Sequence, residues 1–125
     1  VCVHSEFCGK GVALEHNGDA YSCDHYVYSE YRLGNVRECS LGKMVFSQDQ
    51  VRFGYAKSET LPSYCKQCAF VKDCWGECPK NRLLRTPDGE PGLSYLCSGL
   101  KRYYSHAVPI ARKMADRIRT GAVTA

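Results

Sequence analysis

Four thiols crowd into one short stretch, Cys65-x2-Cys68-x5-Cys74-x3-Cys78, too close together to be four independent core residues. In a Cys-x2-Cys unit, neighbouring backbone amides turn toward the sulfurs while both thiolates reach one metal centre. That geometry is why the spacing recurs in zinc and iron–sulfur sites. Five more cysteines stand at positions 2, 8, 23, 39 and 97, making nine in a chain of 125 residues. The density lies just under the roughly 8–10% of a small disulfide scaffold, and an odd count leaves one thiol over in any pairing.

Three chemistries compete for these thiols. Disulfides need an oxidising compartment, and the chain does not open on a charged segment followed by an apolar one of the secretory kind. Zinc takes four ligands in a tetrahedron, so one or two structural sites could be built. Iron–sulfur clusters also take four thiolates each, so eight of the nine cysteines would fill two sites. Spacing in the abstract does not separate zinc from iron–sulfur.

The remainder of the composition describes a module. A mass of 14.0 kDa with 44% apolar residues, nine Tyr, four Phe and one Trp allows one domain with a modest core, thin for an enzyme that must also enclose a substrate. No run approaches a membrane span, which with the missing secretory segment predicts a soluble, cytoplasmic protein. A start at Val1 with cysteine already at position 2 reads as a piece of something longer. Residues 98–125 carry six basic side chains and one acidic, but these alternate with apolar residues at helical spacing and match no nucleic-acid motif, so they read as a solvated helix face.

Local signals predict an α+β fold: an N-terminal β-hairpin, cysteine-rich loops and C-terminal helices. Residues 12–16 and 20–23 flank Asn17-Gly18-Asp19, a strong hairpin-turn signal. A third extended segment is expected from Tyr26 to Arg32, ending at Leu33-Gly34-Asn35. Ser47 followed by Gln50 has the form of a capping box opening a helix of about ten residues, with Val51 and Tyr55, and Phe53 or Gly54, on its buried face. Leu61-Pro62-Ser63 should break that helix. Residues 79–92, rich in Pro and Gly, read as an extended loop. Leu96, Leu100, Tyr103 and Tyr104 share a helical face; beyond Pro109, Ile110, Met114 and Ile118 repeat at i, i+4, giving two helices or one kinked helix. That last stripe reads as packing surface, on which the missing remainder of the protein could dock.

The whole pattern, with Asn17-Gly18-Asp19-x-Tyr21-x-Cys23-Asp24, Tyr64-Cys65-x2-Cys68, Cys74-Trp75-Gly76-Glu77-Cys78-Pro79-Lys80 and Tyr95-Leu96-Cys97-x-Gly99, resembles the SPASM domain. This is the C-terminal auxiliary-cluster domain of certain radical S-adenosylmethionine enzymes, and the likeness is greatest to anaerobic sulfatase-maturating enzymes. It covers residues 1–106 as the SPASM domain and leaves 107–125 as a C-terminal helical extension. The resemblance implies two 4Fe-4S clusters with interleaved ligands. Carried over by position, Cys2, Cys8, Cys23 and Cys78 would hold the first, and Cys65, Cys68, Cys74 and Cys97 the second. Cys39 has no place in the pattern and is expected to be a free thiol. His16, His25 and His106 lie near the cysteine segments but, with eight thiols available, are expected on the surface or beside the ligands.

The catalytic cluster of such enzymes is held by Cys-x3-Cys-x2-Cys. Cys74-x3-Cys78 begins that pattern, but Asn81 stands where its last cysteine should be. The radical S-adenosylmethionine barrel, its cofactor and a third 4Fe-4S cluster are therefore expected outside this chain, and the fragment alone should be inactive. The resemblance further implies a parent oxidoreductase that converts a Cys or Ser of a sulfatase polypeptide to Cα-formylglycine, exchanging electrons with a flavodoxin or ferredoxin. Asp24, directly after Cys23, occupies the position of the family's proposed general base. The other readings are a SPASM domain of a different peptide-modifying radical enzyme, and a zinc-bound structural module. Zinc could also replace the clusters in a fragment made in air.

Overall fold

The computed structural model describes residues 2–121. Val1 and residues 122–125, the last four of the expected extension, lie outside that range.

Strands β1 (Ala13–Leu14) and β2 (Asp19–Tyr21) form the expected hairpin, with Ala13 opposite Tyr21 and Leu14 opposite Ala20. Its turn closes by hydrogen bonds from Gly18 N–H to Glu15 O and from Glu15 N–H to Asp19 O, each 2.9 Å. Gly18, at φ +90°, occupies the left-handed position after the turn, the bulged alternative to a two-residue loop with Asn17 itself left-handed. The segment Tyr26 to Arg32 is not a strand. It forms two short 3-10 turns, Asp24–Tyr26 and Ser29–Tyr31, and β3 begins only at Arg32, running to Asn35 antiparallel to β2. The turns instead pack Tyr26 and Tyr31 against each other (4.7 Å between centroids) and against Phe53 (5.3 and 5.7 Å).

Helix α1 (Leu41–Val45) leads into α2 (Gln48–Glu59), where the Ser47 hydroxyl accepts from Gln50 N–H as expected of a cap. The reciprocal half of the box is absent. The Gln50 side chain instead reaches back to the N-terminal segment, donating to Gly9 O (3.0 Å) and Ser22 O (3.1 Å). Of the expected inward face of α2, Gly54 is buried, but its buried companions are Gln50 and Lys57, while Val51 and Tyr55 are 45% and 49% exposed. Polar side chains turn inward here because the segments packed on α2 offer backbone carbonyls.

After Leu61-Pro62 come two single turns, α3 (Ser63–Lys66) and α4 (Val71–Cys74). The expected loop 79–92 contains a second hairpin, β4 (Leu84–Arg85) with β5 (Pro91–Leu93), closed by Thr86 N–H to Glu90 O at 2.8 Å. Its strands are too short for periodicity to register, and Pro87 and Gly89 lie in its turn while Pro91 and Gly92 open β5. The C-terminal helices are one helix, α5 (Cys97–Arg119), continuous through Pro109. Tyr104 anchors it: 6% exposed, tilted on Phe70 and sharing a 2.9 Å hydrogen bond with His4 Nδ1. Farther along, Ile110, Met114 and Ile118 are 47–61% exposed, so the stripe has no packing partner among the described residues. The apolar core is small, chiefly Ala20, Met44, Leu61 and Tyr104.

Candidate metal centre

The sharpest local geometry lies between Cys74 and Cys78. Had α4 continued, these two cysteines, four apart, would share one helix face. Instead α4 stops at Cys74, and Trp75, Gly76 and Glu77 take φ values of +48°, +67° and +58°. A left-handed run that includes two non-glycine residues costs roughly 1–2 kcal/mol for each. Its hold comes from outside: Arg82 donates to Trp75 O (2.8 Å) and Gly76 O (3.1 Å), and the buried Glu77 carboxylate accepts from Asn81 (2.9 Å) and Ser94 (3.3 Å). The turn sends Cys74 and Cys78 into different surroundings.

Cys65, Cys68, Cys74 and Cys97 line one pocket, walled by Tyr64, Phe70, Leu93, Leu100 and Tyr104. Burial pushes the Cys65 thiol up to about 11, with the charges of Cys97, Cys74 and Cys68 adding to the rise. Cys74 and Cys97 are raised by burial in the same way. Lys101, one turn after Cys97 on α5, donates to the Tyr64 hydroxyl (2.7 Å) and sits 4.0 Å over its ring.

The remaining set gathers where α2 meets the N-terminal segment. Cys8 N–H donates to Gly54 O at 3.1 Å, and Lys57 Nζ donates to the carbonyl oxygens of Cys2 (2.8 Å) and Val3 (2.9 Å). His25 Nδ1 lies 3.4 Å from the Cys78 sulfur. Burial raises Cys8; Lys57 opposes the shift, while Cys78 and Cys2 add to it. Cys23 is pushed up to about 11, first by burial, with Cys78 among the further causes. The strongest thiol–thiol interactions thus stay within Cys2, Cys8, Cys23 and Cys78, or within Cys65, Cys68, Cys74 and Cys97. All eight are free thiols, and two convergent groups of four suit metal centres that take four thiolates each.

Asp24 stands exposed beside the first group, accepting from the Cys23 thiol at 3.1 Å. That hydrogen bond, followed by the charge of His25, holds its carboxyl below the usual range. The ligating atoms of Cys23, Asp24 and His25 lie within 4.8 Å of one another. Cys39 is half-buried, against Gly34 of β3, apart from both groups. His16, His25 and His106 are all exposed, and His25 also stands beside Cys78. Asn81, where a catalytic-cluster cysteine would fall, is structural: its side chain donates to Glu77 and its carbonyl accepts from Tyr95. Sequence reasoning missed Lys57 and Arg82, the cations placed against these groups. Nothing in the pattern separates them from surface charges.

Such an α+β chain, with its thiols gathered in two groups and few apolar residues to hold it, belongs to the class of cysteine-rich metal-binding domains. Residues 2–69 match the family model of SPASM, an iron–sulfur cluster-binding domain, and the chain belongs to that family. It is 50% identical over 109 residues to a serine-type anaerobic sulfatase-maturating enzyme of Bacteroides thetaiotaomicron, covering 87% of this chain and 26% of that protein. It is 28% identical over 118 residues to a cysteine-type anaerobic sulfatase-maturating enzyme of Clostridium perfringens, covering 94% and 31%. The solved structure of native anSMEcpe with bound AdoMet and Kp18Cys peptide superposes with a TM-score of 0.77 at 26% identity, over 94% of this chain and 32% of that one. The chain therefore spans about a quarter to a third of the length of these relatives. No helix among the described residues is long and apolar enough to cross a membrane.

Proposed function

We propose that this chain is the auxiliary-cluster domain of a radical S-adenosylmethionine enzyme that oxidises a Cys or Ser of a sulfatase polypeptide to Cα-formylglycine. In this reading residues 1–106 are the SPASM unit and 107–125 a helical extension. Cys2, Cys8, Cys23 and Cys78 hold one 4Fe-4S cluster, and Cys65, Cys68, Cys74 and Cys97 hold a second. The observation that carries it is the single pocket lined by Cys65, Cys68, Cys74 and Cys97, from which the left-handed turn at Trp75–Glu77 separates Cys78. The relatives, both serine-type and cysteine-type, support the choice of reaction.

When bound, the clusters would supply one-electron acceptors for the substrate oxidation. The chain's own residues orient and tune. Removing a hydrogen atom from the substrate β-carbon, in the barrel that the relatives' greater length leaves room for, must be followed by loss of a proton and an electron. Asp24 would take the proton: its carboxylate is exposed and adjacent to Cys23, a ligand of the first cluster. The electron would leave through the clusters to a flavodoxin or ferredoxin in the cytoplasm.

Anaerobic reconstitution of this chain, followed by Mössbauer spectroscopy and iron analysis, should find two four-iron clusters. A single centre, or a colourless zinc protein from an iron-supplied preparation, would refute the assignment. In the full-length enzyme, Asp24→Asn should retain both clusters and lose turnover by a factor of about 100 or more. Full activity in that variant would exclude Asp24 as the base.

A further inference from the structure

The largest fully buried side chain in this domain is a lysine. Lys57 is 1% exposed, its ammonium donates only to the carbonyl oxygens of Cys2 and Val3, and no carboxylate pairs with it among the described residues. Arg82 is half-buried, and its guanidinium likewise meets only neutral acceptors. It donates to the carbonyl oxygens of Trp75, Gly76 and Lys57 (2.8–3.1 Å) and to the Thr60 hydroxyl (3.4 Å). Burial weakens the hold of both on their protons, and Arg82 adds to the fall at Lys57. A buried ammonium without an anion is costly, and two neighbouring cations compound the cost. Their placement calls for negative charge that the carboxylates do not provide.

The positions of the two cations relative to the thiol groups differ. Lys57 lies one turn beyond Gly54 on α2, and Gly54 O accepts from Cys8 N–H. With its ammonium on the Cys2 carbonyl, Lys57 faces the group of Cys2, Cys8, Cys23 and Cys78. Arg82 grips the backbone that joins Cys74 of one group to Cys78 of the other. The thiols that act electrostatically on each cation follow the same division: Cys8, Cys2 and Cys78 for Lys57, but Cys65 and Cys74 as well as Cys8 for Arg82.

We propose that Lys57 and Arg82 are the built-in counter-charges of two thiolate-bound clusters, Lys57 serving the first alone and Arg82 shared by both, and that they raise the clusters' reduction potentials. The proposal rests on the two-cluster reading above. A 4Fe-4S core of charge +2 with four thiolates is a dianion, and reduction by one electron, here the electron released by the substrate radical, makes it a trianion. A fixed cation at short range favours the more negative state. Lys57 and Arg82 are positioning residues that act through the clusters, and Arg82 moves both potentials together.

The test is a potentiometric titration, followed by EPR, of the full-length protein from which the S-adenosylmethionine-binding cluster has been removed by substitution of its cysteines. Arg82→Gln should lower both midpoint potentials. Lys57→Met should lower one and leave the other. Each affected cluster should show at least a tenfold fall in its reduced-to-oxidised ratio at fixed potential, about 59 mV for one electron. Arg82→Lys, which keeps the charge and loses the fork of hydrogen bonds, should restore both potentials to the parent values. Fully loaded Lys57→Met and Arg82→Gln proteins with unchanged potentials would overturn the proposal and leave the two residues as backbone clamps. If Arg82→Gln loads fewer than two clusters, Lys57→Met and Arg82→Lys decide: one lowered potential in the first and two parental ones in the second support the proposal, and any other result opposes it. A parent protein that takes up no cluster refutes the reading of the centres instead. Chelator competition for zinc, whose four-thiolate site is also a dianion, then decides the counter-charge: Lys57→Met must weaken zinc at one site only.

Discussion

Asp19 shows how a single side chain can hold a hairpin in register. Its carboxylate accepts from Arg32 (2.6 Å), Asn35 (2.9 Å) and Asn17 (2.9 Å), tying the turn to β3. Hydrogen bonds from Arg32 and Asn35 lead in drawing its pKa down from 3.8 to about 2. A carboxyl depressed in the folded state stabilises above its unfolded value and loses that contribution as pH falls through the folded one. The network should therefore be at full strength above about 4 and drain away toward 2. Asp19→Asn should lower hydrogen-exchange protection of the β2 amides at pH 7. The gap between variant and parent should close as acid protonates the parent, and a gap that persists to the lowest pH would show that charge is not the cause. The same residue scale separates what was legible from what was not. Asn17-Gly18-Asp19 announced the hairpin because turn chemistry is local, whereas Lys57 reads in sequence as one more solvated lysine. Its burial depends on the carbonyls of Cys2 and Val3, 55 and 54 residues away.

Among the elements, α2 is the wall on which the first thiol group is built. Gly54 permits it: a Cβ there would stand 2.9 Å from the Cys8 carbonyl oxygen, which is backbone and cannot swing aside. Gly54→Ala should gain about 1 kcal/mol of helix propensity, but the overpacking it forces costs about 1–3 kcal/mol and falls on the Cys8 segment. The expected result is a lower melting temperature and iron content falling toward a single cluster, measured on the anaerobically loaded chain. Unchanged iron and a higher melting temperature would show that the segment can yield. The Ser47 cap was readable because it is set by adjacent residues. The inward face of α2 was not, since helical periodicity counts apolar side chains and this face buries Gln50 and Lys57. The β4–β5 hairpin escaped for another reason: strands of two and three residues carry no period.

For the whole molecule, the balance is between a small core and many thiols. Among the described residues, four or five buried apolar side chains are few for a domain of this length, and metal binding would supply much of the free energy of folding. The formal charge of +4 would be offset by two dianionic centres, relieving the repulsion around Lys57 and Arg82. Stripping the metal with a chelator under anaerobic conditions should abolish the cooperative unfolding transition and the near-ultraviolet circular dichroism of the packed tyrosines. A stripped chain that still unfolds cooperatively at the same denaturant concentration would show that the protein core suffices. The exposed stripe of Ile110, Met114 and Ile118 also belongs to this scale, since no element described in the chain covers it.

The number and spacing of the cysteines pointed, with no coordinates, to metal binding rather than disulfides, and their pattern resembled the family to which the chain belongs. Spacing carries that much because a Cys-x2-Cys unit can fold around one centre using only its own backbone. The two sets of thiols were implied by the resemblance, but what charge faces them was decided by tertiary structure. Cys74 and Cys78 part company through a left-handed turn whose strain is held by Arg82, Asn81 and Ser94, and Lys57 becomes buried only when α2 meets the N-terminal segment. Such effects depend on residues far apart in the chain being brought within hydrogen-bonding distance.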